Sequence, residues 1–317
     1  MKPAEDSVEE YVSGCIQLAT LLEVSAYPKP GNVHRTADFS DTRYEHFLAS
    51  SIAIGQALRD ASRRGTEVSS GRIGFEEVGI GSIISEAVSA MMSWQHGGNT
   101  ILGAILLLMP IAVAAGYVWS GSSPSIGKLR SAIPKVTHSA TPEDAVHVYE
   151  AIRMCQPGGL GAVERFDVKK EVSRGEIINA GVSLLDIFQL SSKYDSVSSE
   201  WVHDYTVTFE IGHPYFVSQL EEIGDHNIVT VHTFLKILST VPDTLIARKV
   251  GKRRAKDISN SAREILLAGG LRSTEGKKRL ADLDKRLRSD GHRLNPGTTA
   301  DLTTSSLAVA ALDGYRP

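Results

Sequence analysis

Sulfur chemistry is scarce in these 317 residues. Cys15 and Cys155 are the two cysteines, and they form neither a CxxC pair nor a disulfide framework. That removes disulfide scaffolds and paired-cysteine chemistry, and it suits a reducing cytosol. Several catalytic signatures are missing as well: there is no G-x-x-x-x-G-K-[ST] phosphate loop, no H-E-x-x-H and no G-x-S-x-G elbow. Gly79-Ile80-Gly81 is too short for a dinucleotide fingerprint and has no strand before it. Charge of one sign is also lacking. A net charge of -3 gives no whole-protein drive toward nucleic acid or an anionic membrane, so neither is expected as a partner and any polyanion site must be local. The stretch "MKPAEDSVEEYVSG" is acidic and lacks the basic and apolar blocks of a signal peptide, which leads to the expectation of a cytoplasmic protein.

Alternating, strand-like runs are scarce, whereas apolar residues recur at helical spacing almost throughout. The expected fold is all-α, with helices over 8–26, 42–64, 75–94, 100–119, 142–154, 182–193, 199–222, 227–238, 252–268, 274–289 and 299–312. Internal repeats, low-complexity tracts and flexible linkers are absent, so residues 1–317 read as one domain. With 42% hydrophobic and 22% charged residues, the composition is that of a globular chain. The run Ile101 to Trp119 carries no charge and reaches the length of a membrane span. It stands alone, follows polar Gly97-Gly98-Asn99-Thr100, and has no strong positive cluster close by. A central helix buried on all sides is therefore expected.

Three helix openings concentrate proline, glycine and asparagine. "YPKPGNVHR", Tyr27 to Arg35, is stiffened by its prolines, while Gly31 and Asn32 tolerate a left-handed turn that aims backbone amides at one point. "QHGGNTILGA" ends one helix at Gly97 and Gly98 and offers Asn99 or Thr100 as a cap, leaving either a plain helix start or an anion site. "NPGTTADL" repeats the pattern, and Asp301 in its first turn either complements the helix dipole or holds Mg2+ beside a phosphate. Glu23 stands near a helix C-terminus, where the dipole disfavours a carboxylate; a metal, a lysine such as Lys29, or solvent must compensate it. Residues 162–176 form the longest stretch without helical periodicity and read as a lid or site-forming loop. Two features admit a bland reading and a functional one. His203-Asp204 is either a solvated helix surface or the pair of a metal-dependent phosphohydrolase, and "RKVGKRRAKD" from Arg248 is either a solvated helix face or a grip for polyphosphate.

Taken in order, "EVSAYPKPGNV", "GGNTILG", "PDT" and "NPGTTADL" resemble the triphosphoribosyl-dephospho-coenzyme A synthase family, whose members are all-helical and match along nearly the full chain. The resemblance implies ATP as donor of a triphosphoribosyl group, a dephospho-CoA-like acceptor whose ribose hydroxyl attacks the anomeric carbon, and adenine as leaving group. The product of that reaction is the precursor of the prosthetic group of citrate lyase or malonate decarboxylase. Glu23, Pro28, Lys29, Pro30 and Gly31 match the first motif and Asp41 an acid after it; Asn99, Thr100 and Gly103 match the second; Glu164 falls on an acidic stretch; Asp243 and Thr244 match the third; Asn295, Pro296, Gly297, Ala300 and Asp301 match the last.

On this reading Lys29, Pro30, Gly31, Asn32, Gly98, Asn99, Thr100, Asn295, Gly297 and Thr298 bind nucleotide phosphates, and Asp41, Asp243 and Asp301 hold Mg2+. Glu23 or Glu164 stabilises an oxocarbenium-like state, and a carboxylate or His34 takes the hydroxyl proton. The chain departs from the family pattern at Ile101 and Leu102, where bacterial members usually carry histidine and lysine, at His34, where an aspartate is expected, and at Phe39, where a histidine is expected. A transferase with another acceptor, a phosphohydrolase built on His203-Asp204, and a non-catalytic nucleotide-binding protein are the rival readings; a homo-oligomer is compatible with each.

Overall fold

A helix made of residues 102–117 has no charged face to offer water, so it is stable only when enclosed. The computed structural model, which describes residues 7–121, 123–159, 161 and 165–317, encloses it: every residue of Leu102–Tyr117 except Gly103 and Tyr117 is buried. The helices in chain order are α1 (Val8–Ser25), α2 (Tyr44–Ala53), α3 (Gly55–Ser69), α4 (Ile80–Trp94), α5 (Leu102–Tyr117), α6 (Ile126–Thr137), α7 (Pro142–Cys155) and α8 (Ser173–Ala180). There follow α9 (Leu184–Ser191), α10 (Ser196–Val202), α11 (His213–Ile223), α12 (His226–Thr240), α13 (Thr244–Val250), α14 (Lys252–Leu267), α15 (Thr274–Arg288) and α16 (Gly297–Leu312). No strand occurs among the described residues, and the fold is all-α. No helix among them is long and apolar enough to cross a membrane.

Close approach puts α5 at the centre of a bundle with α1, α3, α4, α6 and α16. Gly65 of α3 faces Val113 and Gly116 of α5 faces Ser62; a Cβ at either glycine would fall onto the opposing carbonyl oxygen, so the α3–α5 crossing depends on both. Pro110 lies inside α5 and has no N–H for the carbonyl of Leu106, four residues back. The indole Nε1 of Trp201 supplies the missing donor at 2.9 Å, and the hydroxyl of Tyr205 donates to Leu107 O at 3.0 Å. The end of α10 and the turn after it are thereby tied to the bundle centre. Beside it, α16 is also enclosed, and its hydroxyls donate back to their own helix: Thr303 to Thr299 O, Thr304 to Ala300 O, Ser306 to Leu302 O.

A second apolar cluster is built by α12 to α15 around Phe234, Leu238, Ile246, Ile258, Leu280 and Leu287. The Tyr27–Arg35 turn reaches it. Gly31 has φ of +70° with its Cα against Leu287, its N–H donates to Asp284 Oδ1 at 2.8 Å, and Arg288 donates to Asn32 O.

The expected helix 42–64 is two helices, α2 and α3, parted at Ile54. The expected helix 199–222 is likewise broken, by positive φ at Asp204 and Tyr205 and a π-helical turn, Val207–Gly212, before α11 begins. Three helices escaped the periodicity: α6, with Pro134 inside it, α8, and seven-residue α13.

Candidate active site

Between the two clusters lies a cavity of about 1640 Å³. That exceeds the roughly 300–1,000 Å³ of a site for one small ligand. Its wall takes residues from α1, α5, α7, α9, α10, α13, α14 and α16, and segments of all four motifs meet there.

Glu23, from the last turns of α1, is in this wall and only 5% exposed. Lys29, wholly buried, places Nζ 2.5 Å from Glu23 Oε1, and the same ammonium lies 5.9 Å from the centre of the Phe234 ring. The lysine therefore provides the compensation that a carboxylate at this helix end requires. Burial pushes the Glu23 carboxyl up and the Lys29 ammonium down, and their mutual attraction opposes both shifts. One consequence is that Lys29 is engaged with Glu23 and is absent from the cavity wall, so it is not the free triphosphate-pairing cation expected of it.

The motif residues also bind one another. Asn32 Nδ2 donates to Asn295 Oδ1 at 3.0 Å, joining the first motif to the last. Thr244 donates to Thr298 at 3.3 Å, joining the third motif to the last. Asn99 Oδ1 caps α5 by accepting from Leu102 N at 3.1 Å, and Thr100 pairs with Ser50 at 2.7 Å. Gly98, Asn99, Thr100, Asn32, Asn295, Gly297 and Thr298 all line the cavity, whereas Pro30 and Gly31 shape the turn behind it. Plain capping thus accounts for part of what the sequence offered as an anion site.

The three expected metal ligands separate. Asp301 is in the wall, with its carboxylate against Gly103 where any Cβ would collide, and it accepts from the Ala104 N–H. Burial first, then the carboxylates of Glu23 and Asp243, push its carboxyl well above the ordinary range. Asp243 is not in the wall: it accepts from Ile246 N at 3.0 Å, Thr299 N at 2.8 Å and Thr299 Oγ1 at 2.9 Å, and burial raises its carboxyl. Asp41 stands at the mouth, its side chain 69% exposed, with Oδ1 2.9 Å from His292 Nε2. No group of three or more His, Cys, Asp or Glu able to hold a metal exists among the described residues. The described residues therefore do not form an all-protein cage for Mg2+, and Asp301 and Asp41 are the two of the three acids that line the cavity.

His34 is not in the wall either. Its Nδ1 faces the hydroxyl of Thr36 at 3.2 Å, its buried Nε2 has no hydrogen-bond partner among the described residues, and burial beside Arg288, Lys29 and Arg35 pulls its pKa down to about 3. Glu164 lies outside the described residues. His203 and Asp204 do not line the cavity; His203 Nδ1 approaches Ser199 O at 3.0 Å, and Asp204 pairs at 3.5 Å with His138.

Of the two readings open for the basic run, its placement favours the polyphosphate grip. Arg248 and Lys249 of α13 and Lys252 and Lys256 of α14 give the cavity a cationic side, so four members of the basic run face it. Arg248 is anchored by Asp195, and Lys249 donates to His292 O at 3.0 Å. His292 itself was unsuspected, although it stands three residues ahead of Asn295; its ring packs on Phe39 with centroids 4.2 Å apart.

A family model, described as CitG, ATP:dephospho-CoA triphosphoribosyl transferase, matches residues 9–317. A Klebsiella pneumoniae protein named 2-(5''-triphosphoribosyl)-3'-dephosphocoenzyme-A synthase is 24% identical over 311 residues, covering 96% of this chain and 91% of that one. A Pseudomonas fluorescens (strain Pf0-1) protein assigned by name to the same synthase is 24% identical over 317 residues, covering 99% of this chain and 95% of its own. Among solved structures, an Archaeoglobus fulgidus chain assigned by name to triphosphoribosyl-dephospho-CoA synthase superposes with a TM-score of 0.62 at 24% identity, covering 85% of this chain and 100% of that one, a likeness of fold. Matched from near its start to its last residue, the chain belongs to the CitG family of ATP:dephospho-CoA triphosphoribosyl transferases.

Proposed function

We propose that the protein moves the triphosphoribosyl group of ATP onto a ribose hydroxyl of dephospho-CoA and releases adenine. The observation that carries this reading is the meeting of four separated motifs around one cavity large enough for two substrates, with a buried carboxylate and four basic side chains in its wall. Breaking the bond between ribose and adenine develops positive charge at the anomeric carbon. Glu23, held in place by Lys29 in a water-poor wall, stabilises that charge. Arg248, Lys249, Lys252 and Lys256 bind the polyphosphate, a task the sequence resemblance gave to Lys29. This arrangement also supplies positive charge to a wall in which Ile101 and Leu102 contribute none.

His292 takes the proton from the attacking hydroxyl. Asp41 and Phe39 fix its ring, and it is the histidine of the described wall. Mg2+, when bound, neutralises phosphate charge, and Asp301 would hold it. Incubation with ATP and dephospho-CoA tests the proposal by chromatography: free adenine is expected in step with consumption of both substrates. Phosphate release without adenine, or no turnover, would overturn it.

A further inference from the structure

Beside the cations, the cavity wall carries an apolar patch: Gly158 and Gly159, just after α7, lie against Lys249 and Arg248, and Asp195, just after α9, pairs with Arg248. Leu106 of α5, Ile152 and Cys155 of α7, and Ile187, Phe188 and Leu190 of α9 form this patch, in a wall that also holds Arg165, Asp167 and Lys193. Two hydroxyls of this part of the wall are engaged with protein: that of Tyr149 donates to Phe166 O at 2.6 Å, and that of Ser191 donates to Ser198 at 2.8 Å. Such a patch has little to offer the ring nitrogens of a base or a phosphate, but it can cover an alkyl chain. Leu190 is 60% exposed at the rim, apolar surface left open to water unless a ligand covers it.

ATP has no long uncharged segment. Dephospho-CoA has one, because its adenosine diphosphate carries a pantetheine arm. We propose that the apolar patch formed by α5, α7 and α9 is the acceptor subsite, seating the pantetheine arm of dephospho-CoA and thereby selecting an arm-bearing acceptor over a bare nucleotide. The inference rests on the transferase reading for the identity of the acceptor. Its geometric basis is a single cavity in which cations for the phosphates adjoin an apolar patch for the chain attached to them.

Calorimetric titration of the full-length protein with dephospho-CoA, ADP and ATP tests this without requiring turnover. ADP shares the adenosine diphosphate and lacks the arm. Wild-type protein is expected to bind dephospho-CoA about tenfold or more tightly than ADP. In Leu190→Asp that preference should shrink to about twofold or less with ATP affinity unchanged, since a charge there disfavours an apolar chain. Ile152→Trp, which fills the patch without charge, should give the same pattern and serves if Leu190→Asp does not fold. Equal wild-type affinities for dephospho-CoA and ADP, no binding of dephospho-CoA, or equal weakening of ATP and dephospho-CoA by both variants would overturn the subsite; the last result would assign the patch to the shared base. Adenine release with equal affinities would leave the transferase intact and remove the subsite, while the expected affinities without adenine release would do the reverse.

Discussion

Glu23 and Lys29 test whether a buried ion pair serves stability or chemistry. Removing only the ammonium, in Lys29→Met, leaves a carboxylate in a wall that is hardly hydrated, and a loss of about 3–5 kcal/mol in urea denaturation is expected. The double variant Glu23→Gln/Lys29→Met removes both charges and should regain most of that stability. If Glu23 stabilises the developing cation, the double variant remains about 100-fold or more below wild type in kcat. Recovery of activity together with stability would make the pair purely structural.

The two histidines near the first and last motifs divide in the same way. His292→Asn should lower kcat by about 100-fold or more, whereas His34→Asn leaves a base in place and should stay within about tenfold of wild type. His34 instead affects acid stability. Its folded pKa of about 3 lies below the ordinary 6.5, so its favourable contribution is complete above pH 6.5 and is lost as the pH falls from 6.5 toward 3. Wild type should therefore lose stability relative to His34→Asn over that interval. Parallel denaturation midpoints from pH 7 to pH 4 would remove His34 as the cause.

At the scale of the helix, Pro110 sets a condition that its own helix cannot meet. The carbonyl of Leu106 depends on the Trp201 indole, so Trp201→Phe keeps an aromatic ring but buries an acceptor without its donor. A loss of about 1–3 kcal/mol in urea denaturation is expected, and a change below about 0.5 kcal/mol would show that another group takes the acceptor. This dependence was illegible in the sequence, since periodicity records which residues face inward and not which distant side chain satisfies a carbonyl. Long amphipathic or wholly apolar segments such as α1, α5, α12 and α14 were legible because their burial pattern repeats over several turns. Short α13 and proline-bearing α6 lacked that repetition. The break at Ile54 was hidden because the periodicity runs on through it into α3.

Over the whole molecule, the sequence showed which motifs belong together but not which of their atoms remain available. Asn32, Asn99, Thr244 and Asp243 bind other motif residues, and only three-dimensional placement shows that the first three still line the cavity with Glu23 and Asp301 while Asp243 does not. The basic run reads in sequence as a solvated helix face or a polyphosphate grip, and the choice between them depends on the second cluster, which turns part of the run toward the cavity. Lys252 and Lys256 are one helical turn apart on α14 and exposed at the wall, so reversing their charge should leave the fold intact. Lys252→Glu/Lys256→Glu is expected to raise KM for ATP about tenfold or more while changing kcat by less than about threefold, because the pair acts on the polyphosphate and not on the anomeric carbon. Ionic strength provides the internal control. Wild-type KM should rise as salt goes from 0.01 M to 0.15 M, with the Debye length shrinking from about 30 Å to about 8 Å, and the variant should show a flat or inverted dependence. A variant whose KM and salt response match wild type would place the triphosphate away from α14 and leave Arg248 and Lys249 as the cations to test next.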